Sequence, residues 1–191
     1  MTDPRLSRTD EQPSPSHSVP QGATGDGQAT HVRTAGQEWI LTWHGPHYAP
    51  DGEPHGSAGI CLTRDQNIVL VSDGRLVSEG NAHWYWPAGR PEAGEDWEAT
   101  LRREVREEAC AEILACHLLG FSRAQCINGQ EQGLVLVRAF WRADVELRPW
   151  DPKFEIRHRR LVSVADVLSQ VTVDEGWLRI YRRALAEAGL R

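Results

Sequence analysis

The sequence predicts an α/β domain built in layers, and three observations carry that expectation. Short β-rich runs recur from residue 38 onward, and two longer stretches repeat apolar residues every three to four positions. No internal repeat and no long apolar run interrupts the pattern. Mostly antiparallel or mixed strands with a few helices on their faces make a layered α/β fold.

The chain has 191 residues, the length of one ordinary domain or of a smaller domain with a tail. Residues 1–36 are rich in Pro, Ser, Thr, Gly and Gln and show no hydrophobic period. Such a segment buries too little apolar area to offset its ordering entropy, so a disordered N-terminal tail is expected there, with the domain over 37–191.

The first expected strand is EWILTW (38–43). AGICLT (58–63) and NIVLVSD (67–73), joined by Arg64, Asp65 and Gln66, predict a hairpin. HWYWPAG (83–89) predicts a third strand, stopped by Pro87 and Gly89. From Glu95 to Ala109 the period becomes helical, with Trp97, Leu101, Val105 and Ala109 on one stripe and Asp96 as N-cap. Strands are expected at 117–127, 133–145 and 158–164, a short helix at 164–171 and a longer one at 175–189, closed by Gly189.

Composition narrows the function. Hydrophobic residues make up 40% of the chain, enough for a core, yet no run approaches the roughly 18–20 apolar residues a membrane helix needs. The N-terminus lacks the apolar stretch of a secretory signal, so a cytoplasmic location is expected. A net charge of −6 argues against binding a nucleic-acid polymer, where a basic footprint dominates. Four cysteines without a C-x-x-C spacing predict buried thiols, with neither a zinc site nor a disulfide framework.

The stretch 89–111, GRPEAGEDWEATLRREVREEACA, concentrates the chemistry. At about 100° per residue, Glu104, Glu107 and Glu108 fall within roughly a quarter of the helix circumference, beside the apolar stripe. A solvated charge run is the ordinary explanation of clustered glutamates. Here they border the buried face, where unpaired charge is costly. A hard divalent cation resolves the conflict, since Mg²⁺ takes a few carboxylates together with waters and substrate phosphates. Gly89 and Gly94 in the preceding loop let the backbone approach a ligand, and a helix N-terminus favours an anion.

The stretch resembles the Nudix box, G-x5-E-x7-R-E-U-x-E-E-x-G-U with U aliphatic. Gly89, Glu95, Arg103, Glu104, Val105, Glu107 and Glu108 fit it; Cys110 stands where the family has glycine and Ala111 where a larger aliphatic is usual. The resemblance implies a Nudix-type α/β/α sandwich around a mixed β-sheet. It also implies Mg²⁺-dependent hydrolysis of a nucleoside diphosphate derivative by water attack on phosphorus, with Mn²⁺ able to substitute. Carried over by position, Glu104, Glu107 and Glu108 would bind metal and Arg103 would hold a box glutamate in place. Glu95 would support the metal shell, and Gly89 would shape the loop against substrate. The general base would be a box glutamate, Glu107 among them, or an acidic residue in a later loop, for which Glu155 is best placed.

Downstream of the box, RAQCINGQEQ (123–132) has neither the proline common in ADP-ribose hydrolases nor the tyrosine of dinucleoside polyphosphate hydrolases, so the substrate stays open. His83, Trp84 and Trp86 could contact a base or sugar, or could be core. Many relatives are dimers, so a homodimer is possible. Two alternatives remain: a nucleotide-sensing module without turnover, and an isoprenyl diphosphate isomerase. The isomerase would need a catalytic cysteine, for which Cys61 is the candidate.

Overall fold

The computed structural model describes residues 29–78 and 81–190. Strand β1 (Thr30–Thr34) pairs antiparallel with β2 (Gln37–His44) across a turn at Ala35 and Gly36. Then follow β3 (Glu53–Leu62), β4 (Ile68–Ser72), the short β5 (Leu76–Ser78), β6 (Asn81–Ala82) and β7 (Ala88–Gly89), and helix α1 (Trp97–Ala109). Two long strands, β8 (Ala111–Asn128) and β9 (Val135–Leu147), precede β10 (His158–Val162), α2 (Val167–Gln170) and α3 (Glu175–Glu187).

The main sheet runs β1-β2-β8-β9-β3-β4-β10, with β7 attached to β3; β5 and β6 form a separate ribbon. Among the described residues only β3 and β9 pair in parallel, so the sheet is mixed as expected. Its central strands are apolar on both faces because helices cover both. On β4, Ile68 and Leu70 join a core with Trp86, Phe140, Tyr181 and Leu185 under α3. Val69 and Val71, one residue out of phase, join Leu101, Val105 and Trp141 under α1. Among the described residues no helix is long and apolar enough to cross a membrane.

The expected β3–β4 hairpin forms, but strand pairing is limited to Leu62 and Ile68. Beyond that point the two strands splay, and the segment expected as a third strand enters the split. Tyr85 bridges Val71, and Ala88 and Gly89 pair with Ala58 and Ser57. Pro87 has no N–H to give a ladder, and its carbonyl accepts from Gly59 N–H at 3.0 Å. This split is where the box helix meets the sheet.

The predicted tail reaches too far. Residues 30–34 lie within the span 1–36, yet they form β1, with Val32 buried in the core. The run THVRT is too short, and too polar beside its neighbours, to register as a strand; its partner β2 and helix α3 supply the order. A Cβ on Gly176 of α3 would lie 2.0 Å from Val32 Cγ2, so helix and strand pack in direct contact. Residues 1–28 of the expected tail lie outside the described residues. Deleting residues 1–36 is therefore expected to cost at least about 2 kcal/mol relative to deleting 1–28, the burial of one valine. Thermal melts of the two truncations should differ by about 4–8 °C, and equal melting temperatures would remove β1 as a structural strand.

Candidate active site

Helix α1 begins where Asp96, in extended conformation, accepts the Ala99 N–H at 2.8 Å. Its stripe of Leu101, Val105 and Ala109 is fully buried against β3 and β4. That docking fixes the rotation of the helix and aims its glutamates into the split of the sheet. Glu104 and Glu108 are buried, while Glu107 sits at the rim.

Arg103 holds much of the cluster together. Its Nε and Nη2 donate to the two oxygens of Glu95 at 2.8 and 3.1 Å, a bidentate pair. Its Nη1 donates to Glu104 at 2.8 Å and to Glu107 at 3.2 Å, and Nη2 also reaches the Arg90 carbonyl at 2.8 Å. The positional expectation for Arg103 thus has a geometric counterpart, and one arginine serves three carboxylates. Spacing along the helix does not disclose this, because the fork bridges side chains from both sides. Arg103 in turn holds the Glu95 carboxyl down at about 2, helped by the Glu92 N–H and the Thr100 hydroxyl.

Glu108 forms no bond to an arginine among the described residues. Its Oε2 accepts the Ala88 N–H, at 2.8 Å. Burial pushes its carboxyl up to about 8 despite that bond, and the nearby Glu104 and Glu155 charges push the same way. Burial raises Glu104 as well, against the pull of Arg103. Glu155 is exposed, between β9 and β10, and its charge adds to the upward push on Glu104, Glu108 and Tyr85. The charge of the loop candidate thus reaches the box glutamates.

Gly89 has a steric reason. A Cβ there would lie 1.8 Å from Glu104 Oε1, so the carboxylate occupies the space a side chain would need. Trp86, in contrast, is wholly buried and stacks on Tyr181 at 3.9 Å, which makes it core rather than pocket. Trp84 is engaged by the Arg160 guanidinium, 4.0 Å from its ring centroid, and His83 packs on Tyr85.

Cys110 takes the conformation that its glycine counterpart would favour, φ 46° and ψ 54°, with its N–H bonded to Val105 O. Arg159 on β10 then donates to the carbonyls of Ala109 and Cys110 at 2.7 and 3.1 Å and to that of Arg148 at 3.2 Å, satisfying the end of the helix. Sequence reasoning missed Arg159, because nothing at a distance of 49 residues marks a capping cation. Left-handed backbone costs a side-chain-bearing residue roughly 1 kcal/mol. Cys110→Gly is accordingly expected to stabilise the protein by about 0.5–1 kcal/mol, read by denaturant midpoint; a loss of stability would mean that the buried thiol outweighs the strain.

Comparison with known proteins speaks to the family and the fold. The NUDIX domain model matches residues 53–184. The chain belongs to the NUDIX domain family. Among solved structures, the Bacillus subtilis pyrophosphohydrolase BsRppH is similar at 21% identity and TM-score 0.61, over 85% of this chain and 99% of that one. The NUDIX domain of Shewanella oneidensis NrtR, complexed with ADP ribose, is similar at 18% identity and TM-score 0.51, over 70% and 86%. A NUDIX hydrolase from Nitrosomonas europaea is similar at 20% identity and TM-score 0.54, over 73% and 92%. At these identities the likeness speaks for the Nudix fold. No curated protein matches the chain.

Among the described residues of this Nudix domain, no three His, Cys, Asp or Glu side chains converge to cage a cation by themselves. Arg103 draws Glu104 and Glu107 to its own side. Mg²⁺ does not require a protein cage, because waters and phosphates complete its shell. The donors are hard oxygens, and Glu108 is a buried carboxylate that forms no ion pair among the described residues. The residues fit a divalent metal.

Proposed function

We propose that this Nudix domain is a divalent-metal-dependent pyrophosphohydrolase acting on a small, free nucleoside diphosphate derivative in the cytoplasm. The observation that carries the reading is the buried Glu104–Glu108 pair at the split of the sheet, backed by Arg103 and Glu95. Glu104, Glu107 and Glu108 would hold Mg²⁺, or Mn²⁺ in its place. Bound there, the metal would supply charge neutralisation at the phosphoryl oxygens and lower the pKa of water. Arg103 orients Glu104 and Glu107 toward that work, and Gly89 keeps the Glu104 carboxylate clear. A cleft of about 390 Å³ opens beside Glu107, edged by Arg106, Arg148, Asp151 and Lys153, with each of its three cations paired to a carboxylate. The proton of the attacking water goes to Glu107 or to Glu155.

The test is a panel of nucleoside triphosphates, nucleotide sugars, ADP-ribose, dinucleoside polyphosphates and coenzyme A, each with Mg²⁺ and with Mn²⁺. Release of phosphate or nucleoside monophosphate from at least one is expected, and chelation should stop it. Binding without turnover across the panel would favour the nucleotide-sensing alternative. The isomerase alternative is disfavoured by Cys61, which is wholly buried and whose thiol burial pushes far up. For the base, Glu155→Gln is expected to lower kcat and remove the acidic limb of its pH profile. An unchanged profile would leave Glu107.

A further inference from the structure

Arg138 lies on β9 and has no part in the cluster described above. It shares the α3-covered face of the sheet with Leu136 and Phe140, two residues to either side. Its Nε is shut off from solvent and donates to nothing, and among the described residues no carboxylate forms an ion pair with it. Burial weakens its hold on the proton, and the nearby Arg90 adds to that effect; the opposing charges it faces are Glu108 and the Tyr181 hydroxyl, when ionised. An arginine does not neutralise itself by losing a proton in a protein. Arg138 is half-buried, and its Nε, buried without a hydrogen-bond acceptor, is a standing cost that an anion in contact with it would relieve.

Two features say where that anion would sit. A cavity of about 180 Å³ is lined by Arg138 and His55, with Trp39, Leu41, Val137 and Trp177 among its apolar walls. That is below the roughly 300–1,000 Å³ that encloses a whole ligand, so the cavity takes one part of a larger molecule. The second feature is the wall between Arg138 and the glutamates. A Cβ on Gly56 would lie 2.4 Å from Gly89 O and 3.5 Å from Arg138 Nε, and a Cβ on Gly89 would strike Glu104. Two glycines thus thin the partition between the guanidinium and the carboxylates to bare backbone. Gly56, at φ 155°, holds a backbone conformation that side-chain-bearing residues rarely adopt.

We propose that Arg138 anchors the substrate: its guanidinium takes a phosphoryl oxygen of the nucleoside diphosphate portion, whose ring-bearing end occupies the cavity against Trp39 and Trp177. The ligand class rests on the hydrolase reading. The anchor itself rests on the buried, unbonded Nε of Arg138, the cavity and the glycine partition.

Calorimetric titration of the full chain in chelator, without metal or turnover, tests this with ADP, GDP, CDP and UDP and with the four nucleosides as probes. At least one diphosphate is expected to bind. Arg138→Gln should weaken it about 10- to 100-fold, the loss of a hydrogen bond to a charged group, while the matching nucleoside changes less than about twofold. Arg138→Lys keeps the charge without the fork and should lose about threefold or more; it decides the matter where the glutamine variant does not fold. Binding of no diphosphate, unchanged diphosphate affinity in a folded variant, or equal losses for nucleoside and diphosphate would each overturn the anchor. The two readings separate cleanly under Mg²⁺. Turnover with unchanged KM in Arg138→Gln removes the anchor and leaves the hydrolase. Arg138-dependent diphosphate binding with no turnover of any substrate does the reverse.

Discussion

Glu108→Gln is expected to abolish turnover and, in the metal-free protein, to raise stability at alkaline pH. The two effects have one cause. Glu108 is buried beside the Ala88 N–H with no ion pair among the described residues, and burial outweighs the more distant pull of Arg138, so its carboxyl is pushed up from 4.5 to about 8. A carboxyl raised in the folded state favours the protonated form there. Its stabilising contribution is full below about pH 4.5 and is lost as pH rises through about 8. At about 1.4 kcal/mol per unit, the loss is on the order of several kcal/mol. Glutamine mimics the protonated form, and its amide oxygen can still accept from Ala88. In chelator, the wild-type melting temperature should fall between pH 5 and 9 while that of Glu108→Gln stays nearly level. Turnover should drop at least about 100-fold, as when a group aimed at the developing charge is removed. Glu107→Gln is the control. It should lose turnover without the alkaline gain, because Glu107 sits at the rim with Arg103 beside it. Undiminished turnover in both variants would sink the metal assignment, and a level wild-type curve would remove the buried charge as its reason.

What the sequence disclosed follows from the range of the forces involved. The box helix was legible because its signals are local: an N-cap at Asp96, an apolar stripe every fourth residue and glutamates three and four apart. The α/β layering was legible from β4, whose every residue is apolar or small and which is buried on both faces. Segment 83–89 misled because alternating aromatics suit a strand, whereas Pro87 and the splayed β3 and β4 turn it into a wedge. Strand β1 was hidden by a composition shared with the residues before it, and β8 starts at Ala111, six residues earlier than the pattern implied. At the site, the residue types were readable but their partnerships were not. Arg159 under α1, the reach of Arg103 to Glu95 and the buried, unbonded Nε of Arg138 all depend on tertiary contact. Sequence spacing carries none of it.

Arg103→Met is expected to lower metal-free stability by about 2 kcal/mol and turnover by about 10- to 100-fold. The stability figure lies between an exposed pair and a buried one, since the Arg103 side chain is mostly covered while Glu107 is open to water. The turnover figure is that of a group that orients metal ligands without binding the metal. Two further readouts distinguish this role from simple packing. First, Mg²⁺ should recover part of the lost stability, because a cation relieves the repulsion among Glu104, Glu107 and Glu108 that Arg103 otherwise tempers. Second, the acid limb should change shape. Arg103 holds the Glu95 carboxyl at about 2 against an ordinary 4.5, so that carboxylate contributes stability above about pH 4.5 and loses it as pH falls through 2. In Arg103→Met that window should narrow, the Glu92 N–H and the Thr100 hydroxyl keeping part of it, and acid unfolding between pH 4.5 and 2 should be shallower than in wild type. Arg103→Lys should keep part of the pH dependence and little of the turnover, because an ammonium cannot hold both oxygens of Glu95 while reaching Glu104 and Glu107. A lysine variant with full activity would mean that charge alone suffices, and the fork geometry would then have no part in positioning the carboxylates.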